Sequence, residues 1–274
     1  MKLIFSEAEA DYAHYVFPYA VWAVPEPGEE PADFFERGFL PASKDLDRFY
    51  LCRHVRIDLQ RFAPSSENRR VLRKGKGIRA SLIPRERFEY TEKRRRFYKT
   101  YCDIRFGRGV MPLSRLDALF HGRIITHVML FEDEVAGKEV GAATLYLDPR
   151  RLGYYYFAFY DLDYYKRNLG IYMMTYSVNH FAKAGFGHLY LGSVYSRNAL
   201  YKTQFEGAEF FNGVRWSNNL RELKCLLQRG AQKQDHHLLE NEDYLRRFYG
   251  GGVEKAAEKT PFRCRWEPSK EGQK

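Results

Sequence analysis

The chain has 274 residues, of which 45% are hydrophobic, ample for one large or two smaller packed domains, so it reads as an ordinary globular protein. Its formal net charge of +10 points to an acidic partner, and with no lipidation or membrane signal nucleic acid is the natural candidate. Cys52, Cys102, Cys225 and Cys264 are scattered without a C-x-x-C pair, which excludes a locally encoded zinc or iron–sulfur site and predicts no bound metal.

Glu7, Glu9 and Asp11 fall where a signal peptide needs an uninterrupted apolar core, and no apolar run is long enough to span a bilayer. The expectation is a cytoplasmic protein with reduced thiols and no membrane partner. Pro25, Pro27, Gly28 and Pro31 form a breaker cluster, after which Ala32 to Gly38 predicts a short helix stopped by Gly38. Phe49, Leu51, Val55, Ile57 and Leu59 alternate with polar residues and predict one strand. Pro64 ends it, and Ser65 or Ser66 can cap a helix that carries Arg69, Arg70, Arg73 and Lys74. With Lys76 and Arg79 these form one cationic window; Lys93, Arg94, Arg95, Arg96 and Lys99 form another. Neither cluster is balanced by nearby acids in the sequence, so both are candidate phosphate-binding faces.

From Arg115 the pattern turns to strands. His127 to Phe131 and Val140 to Leu147 predict a hairpin around the charged turn Glu132 to Lys138. Tyr154 to Tyr160 is a continuous aromatic and apolar run of strand length, ended by the turn formers Asp161 and Asp163. Ile171, Met174, Thr175, Val178, Phe181 and Ala182 then recur at helical spacing until Gly185 and Gly187. His188 to Leu191 resumes an extended pattern, so the unit reads as β-α-β. Lys166, Arg167, Asn168, Leu169 and Gly170 form its strand-to-helix loop, where backbone N–H groups and positive charge offer an anion site. The high aromatic content, 21 Tyr and 21 Phe, is read as packing. His236 and His237 are read as surface residues, Gly250 onward as a flexible tail with Ser269 to Lys274 disordered, and Phe262 and Trp266 as docking back on the core.

Three ordered blocks resemble the catalytic part of arginyl-tRNA protein transferases and their bacterial leucyl-transferring relatives. The first is Phe34, Glu36, Arg37, Gly38 and Phe39 followed by Cys52, Arg53, Val55, Arg56, Ile57, Phe62, Pro64, Ser65, Arg69, Arg70, Val71 and Leu72. The second is Tyr160, Asp161, Asp163, Tyr164, Leu169 and Gly170, and the third is Tyr190, Leu191, Gly192, Tyr195, Tyr201 and Lys202. Together they cover roughly Ala32 to Trp216.

The resemblance implies a mixed α/β, GNAT-like acyltransferase fold with an N-terminal α/β extension. Residues 1–112 would be a basic region contributing to the tRNA site, 113–249 the catalytic domain and 250–274 the tail. It implies an enzyme that moves an amino acid from aminoacyl-tRNA to the α-amine of a protein N-terminus. No cofactor is needed, because the aminoacyl ester is already activated and the enzyme mainly aligns an amine and stabilises an oxyanion. Under this reading Asp161 or Asp163 positions or deprotonates the acceptor ammonium, and Tyr195 and Lys202 shape the donor end. Tyr160, Arg167, Asn168, Leu169, Gly170, Cys52 and Arg53 bind substrate, and Arg69, Arg70, Arg73, Lys74, Lys93, Arg94, Arg95 and Arg96 bind tRNA. The Cys-rich segment that precedes the first block in arginyl transferases is not matched, so no iron–sulfur dependence is carried over. Leu162, Asn168 and Arg197 to Ala199 depart from the family pattern, so neither donor nor acceptor specificity is carried over.

The rival within the same fold is an N-acetyltransferase using acetyl-CoA, whose pyrophosphate would lie on an Arg-x-x-Gly turn. Arg167 and Gly170 match that turn, while Tyr172 stands where a small residue is needed and is expected to crowd the pyrophosphate. A third reading is an RNA-binding module that has lost catalysis.

Overall fold

The computed structural model describes residues 1–14, 16–231 and 236–262. In chain order the elements are β1 (Lys2–Glu7), β2 (Tyr19–Val24), α1 (Pro31–Glu36), β3 (Phe39–Pro41), β4 (Phe49–Leu51), β5 (His54–Asp58), α2 (Ser66–Lys74), β6 (Ile78–Pro84), α3 (Glu92–Arg105) and α4 (Leu113–His121). They continue with β7 (His127–Asp133), β8 (Lys138–Asp148), β9 (Leu152–Tyr160), α5 (Leu169–Lys183), β10 (His188–Ser193), β11 (Ala208–Phe211), β12 (Trp216–Ser217), α6 (Leu220–Arg229), α7 (Glu242–Tyr249) and α8 (Val253–Ala257). The fold is mixed α/β, as expected.

A large sheet of order β12-β11-β5-β10-β9-β8-β7-β6 forms the centre, and a smaller sheet of order β1-β2-β4-β3 lies beside it. In the large sheet β9 and β10 run parallel and the other neighbouring pairs are antiparallel. Both of its faces are buried, which is why its inner strands read as nearly continuous apolar runs. On one face Val140, Leu145 and Tyr155 pack with Val71 of α2, Met173 and Phe181 of α5, Leu223 of α6, Leu245 of α7 and Ala256 of α8. On the other, Ala142, Tyr146 and Phe159 pack with Phe35 of α1, Tyr98 of α3 and Phe120 of α4. The β-α-β unit is present as the periodicity predicts, with β9 in mid-sheet and β10 paired to it over Leu152–Tyr154.

Local chemistry explains the helix starts. The Ser65 hydroxyl accepts from the Asn68 N–H at 3.1 Å while the Asn68 side chain accepts from the Ser65 N–H at 3.1 Å, so the expected capping serine closes a reciprocal box. Asn219 and Asn241 likewise cap α6 and α7.

Two expectations are corrected. The single strand from Phe49 to Leu59 is two strands in different sheets: β4 pairs with β2 and β3, whereas β5 inserts between β10 and β11. Alternation survives across both because each strand buries alternate residues, Phe49 in one core cluster and Val55 and Ile57 in the other, so the break at Cys52 and Arg53 leaves no mark in the pattern. Arg79, the last cation of the first window, lies on β6. The stretch from Gly250, expected to be flexible, starts with α8, whose Ala256 is 2% exposed against the core. Phe262 docks as expected, edge-on to Phe39 and Phe211. Trp266 and Ser269 to Lys274 lie outside the described residues.

Candidate active site

The parallel pair β9 and β10 makes register at His188–Leu152, Leu189–Gly153 and Tyr190–Tyr154 only. Beyond Tyr154 the strands part. Irregularities accompany the parting on both sides: β10 skips Leu191 in its register with β5, and β9 skips Tyr156 in its register with β8. The result is a cleft of about 780 Å³ at the carboxyl ends of the two strands. Open α/β sheets place ligands in such crevices.

One wall of the cleft is the start of α5. Asn168 adopts a left-handed conformation (φ 57°, ψ 39°) and its side chain does not cap the helix. The N–H groups of the first turn are thus without a side-chain cap, and Asn168, Leu169, Gly170 and Ile171 all line the cleft. Gly170 is required by Tyr160: a Cβ there would come within 2.8 Å of the Tyr160 ring. Tyr101, Tyr155, Tyr160 and Tyr201 supply aromatic surface, and Arg105 and Lys202 supply charge. No Asp or Glu is among the described residues lining the cleft.

Lys202 stands on the 3-10 segment Arg197–Thr203 and donates from Nζ to the Ser193 carbonyl at 2.8 Å. Burial without a carboxylate partner among the described residues lowers its pKa to about 8. A lysine so placed is half neutral near pH 8 and in that form can accept a proton. The segment carrying its acceptor is pinned by Arg53, whose carbonyl accepts from the Val194 N–H at 2.9 Å, whose Nε donates to the Val194 carbonyl at 2.9 Å, and whose backbone N–H donates to the Tyr195 hydroxyl at 2.8 Å.

The cleft thus brings together Tyr160, Asn168, Leu169, Gly170 and Lys202 from the residues singled out in the sequence. Several others lie elsewhere. Arg167 is turned away and spent on Asp133, donating to its Oδ2 at 2.8 Å while lying over the Tyr164 ring. Asp133, which also accepts from the Tyr164 hydroxyl and the Val135 and Ala136 N–H groups, is held down at a pKa of about 2, foremost by the Ala136 N–H. Cys52 is buried, and desolvation pushes its thiol up to about 12, far from a reactive thiolate. Tyr195 holds Arg53 outside the cleft.

Asp161 and Asp163 line a neighbouring groove of about 640 Å³ with Lys93, Arg94 and Lys138. Asp161 accepts from the Asp163 N–H at 3.0 Å and from Lys138 Nζ at 2.8 Å, the turn-forming role that its residue type favours. Tyr101 and Tyr160 line both cavities and form the wall between them. Tyr172, expected to crowd the strand-to-helix turn, is instead 4% exposed, with its hydroxyl donating to the Ile78 carbonyl at 3.2 Å and its ring where a Gly75 Cβ would be.

The basic clusters differ in kind. In the second, Arg94 pairs with Glu139 at 2.8 Å, Arg95 with Asp117 through two bonds of 2.8 Å, and Arg96 with Glu92 at 3.2 Å, so the expectation that it is not balanced by acids is overturned. Lys93 stays exposed at the rim of the groove. In the first, Arg70 pairs with Glu67, Arg69 reaches the Pro64 carbonyl, and Arg73, Lys74 and Lys76 are exposed with no acidic partner among the described residues.

Tyr101, Arg105, Tyr155 and Tyr201 were not foreseen as cleft residues. On β9 a residue that faces the cleft and one that faces the core are both aromatic, so alternation carries no signal there. Among the described residues no group of three or more His, Cys, Asp or Glu could hold a metal ion, and no helix is long and apolar enough to cross a membrane.

No family model matches the chain. It is similar to the aspartate/glutamate leucyltransferases of Pseudomonas paraeruginosa PA7 and Pseudomonas aeruginosa PAO1, each 29% identical over 195 residues, 68% of this chain and 81% of theirs. The enzyme of that name from Pseudomonas entomophila is 28% identical over 196 residues, with the same coverage of 68% and 81%. Among solved structures, FemX overlaps 52% of this chain and 53% of its own with a TM-score of 0.40 at 10% identity. The L-PGS of Bacillus licheniformis overlaps 52% and 44% with a TM-score of 0.37 at 13% identity. The chain spans about half the length of each of these two structures, and overlaps of that quality assign neither fold nor activity.

Proposed function

We propose that this chain is an aminoacyl-tRNA-dependent transferase that moves leucine or another uncharged amino acid from its tRNA ester to the α-amine of a protein N-terminus. The observation that carries the reading is the cleft where β9 and β10 part, with the uncapped start of α5 on one side and a lysine of depressed pKa on the other. The similarity to aspartate/glutamate leucyltransferases supports the reaction class.

In this mechanism the terminal nucleotide of the tRNA lies along the cleft, with a phosphate on the first-turn N–H groups of α5 and Arg105 nearby. The acceptor amine, once neutral, attacks the ester carbonyl carbon; a C–N bond forms and the C–O bond to the ribose breaks. Lys202, as the free amine, takes the proton that the attacking nitrogen loses and gives it to the departing ribose oxygen, which leaves as a hydroxyl, so the lysine ends as it began. A covalent enzyme intermediate is unnecessary because the ester is already activated.

The donor preference follows from charge. An arginyl side chain in the cleft would bring a third cation beside Arg105 and Lys202 and meet no carboxylate among the lining residues, whereas a leucyl side chain fits against Ile171, Met174 and Leu191. Arg73, Lys74 and Lys76 are the exposed cations available to the tRNA backbone. The acceptor, by analogy with the named relatives, carries an N-terminal Asp or Glu.

One observation favours a second donor class. Because Tyr172 is turned into the core, the α5 turn is open to a pyrophosphate as well, and an acyl-CoA would fit the same wall. The deciding experiment offers purified protein leucyl-, phenylalanyl- and arginyl-tRNA, with acetyl-CoA in parallel, and peptides of varied first residue. Leucyl transfer above arginyl, with no acetyl transfer, is expected; acetyl transfer alone would overturn the reading.

A further inference from the structure

Six buried side-chain polar atoms have no hydrogen-bond partner among the described residues, those of His54, Tyr155, Thr175, Tyr190, Gln204 and Arg215. Of these residues Tyr155 alone lines the cleft. Its side chain is held between the sheet and α5, 5% exposed, and its hydroxyl lies among those of Tyr101, Tyr160 and Tyr201, which line the same cavity. Tyr155 is also the last residue of β9 before the strand skips Tyr156 in its register with β8, and such irregularities re-aim side chains at sites. Buried polar groups are ordinarily paired, so an orphaned hydroxyl beside a cavity is a group available to a bound ligand.

Resting on the transfer reading, we propose that the Tyr155 hydroxyl donates its hydrogen bond to the carbonyl oxygen of the donor ester, and is a catalytic residue for the step in which that oxygen becomes negative. The other polar groups of the reaction have partners on the page: the amine has Lys202, and phosphate has the start of α5. The carbonyl oxygen is the atom whose charge grows as the C–N bond forms, and a hydrogen bond to it in a dry site is worth far more than one in water. Burial raises the tyrosine pKa, so the hydroxyl stays protonated and available as a donor throughout the pH range in which Lys202 titrates. No proton leaves Tyr155 in this step.

The test is Tyr155→Phe, which keeps the ring and removes only the oxygen, measured beside the wild type with leucyl-tRNA and an acceptor peptide. The expected result is a fall of about a hundredfold in kcat, the scale set by removal of single oxyanion donors. KM for the charged tRNA should stay within about twofold, since the interaction strengthens only toward the transition state. Tm should hold or rise, because the variant removes a buried hydroxyl that nothing satisfies, and the midpoint of the pH profile set by Lys202 should not move. An unchanged kcat in an active protein overturns the role alone, as does a loss that tracks a falling Tm or a rising KM. A wild type that transfers nothing from any charged tRNA overturns the transfer reading and this role together.

Discussion

The edge of the Tyr160 ring occupies the space that a Cβ on Gly170 would need, at 2.8 Å. The end of β9 and the start of α5 are therefore in direct contact across the strand-to-helix turn, at the wall that the cleft shares with the neighbouring groove. Gly170→Ala should push that ring aside without unfolding the helix, where alanine is the better former by roughly 1 kcal/mol. We expect Tm within about 2 °C of the parent and kcat/KM lower by about tenfold, roughly 1.4 kcal/mol in barrier. Steady-state transfer kinetics beside a melting curve check it; parental kinetics would show that the ring's position is unimportant.

Lys202 gives a pH signature. With a folded pKa of about 8, the transfer rate should climb between pH 7 and 9 and level off above it. Lys202→Arg, protonated at every accessible pH, should lose the climb along with most of the rate. Stability runs the same way. The folded pKa lies below the unfolded value near 10.5, so the folded state binds its proton less readily, and the cost is greatest below pH 8 and fades as pH rises toward 10.5. Lys202→Met should therefore raise Tm at pH 7 and do so less at pH 10.

Asp133 titrates in the opposite sense. Its folded pKa of about 2 lies below the usual value, so the stabilisation it supplies is complete above about pH 4 and lost as pH falls toward 2. Asp133→Asn should flatten acid unfolding over that window and release Arg167, seen as a smaller drop in Tm between pH 5 and pH 3 than in the parent.

The two cationic faces should respond differently to charge reversal. Arg73→Glu with Lys74→Glu is expected to lower the salt slope of tRNA binding by about two without affecting Tm, since two exposed phosphate contacts are removed. Arg95→Glu would face Asp117 at ion-pair distance and should lower Tm by several degrees. Filter binding over a salt series and thermal melts separate the two; equal slopes for parent and double variant would assign the α2 charges to solvent.

A further carboxylate is structural. Glu222 of α6 is fully buried, accepting from Asn212 at 2.7 Å, the Ser217 hydroxyl at 2.7 Å and the Tyr244 hydroxyl at 2.8 Å. Glu222→Ala strands three donors at once, and a loss of about 3 kcal/mol in chemical denaturation is expected.

What local pattern could convey, it conveyed: the run from Tyr154, the helical spacing from Ile171 and the capping Ser65 each describe a residue's relation to near neighbours, and each element is where that relation puts it. What needed the folded chain was missed. Arg94 and Glu139 are 45 residues apart, so counting acids within the Lys93 window could not find the pair. The break at Cys52 was hidden because β4 and β5 both alternate, and only their partners, β2 and β3 for one and β10 and β11 for the other, tell them apart. At the site, Lys202 and Gly170 could be named from the resemblance, but Tyr155 was one of seven consecutive apolar and aromatic residues, every one of which reads as core.

The position of β5 sets an order of events during synthesis. Residues 54–58 are made early, yet the strands that flank them, 188–193 and 208–211, follow only after the hairpin and the crossover helix. Until residue 193 is made both edges of β5 are bare, and one stays bare until Phe211, with Val55 and Ile57 among the residues destined for the deepest core. Such an edge invites pairing with other chains. The nascent protein should therefore depend on holding factors longer than its size suggests, and chains stopped before residue 208 should aggregate where full-length ones do not.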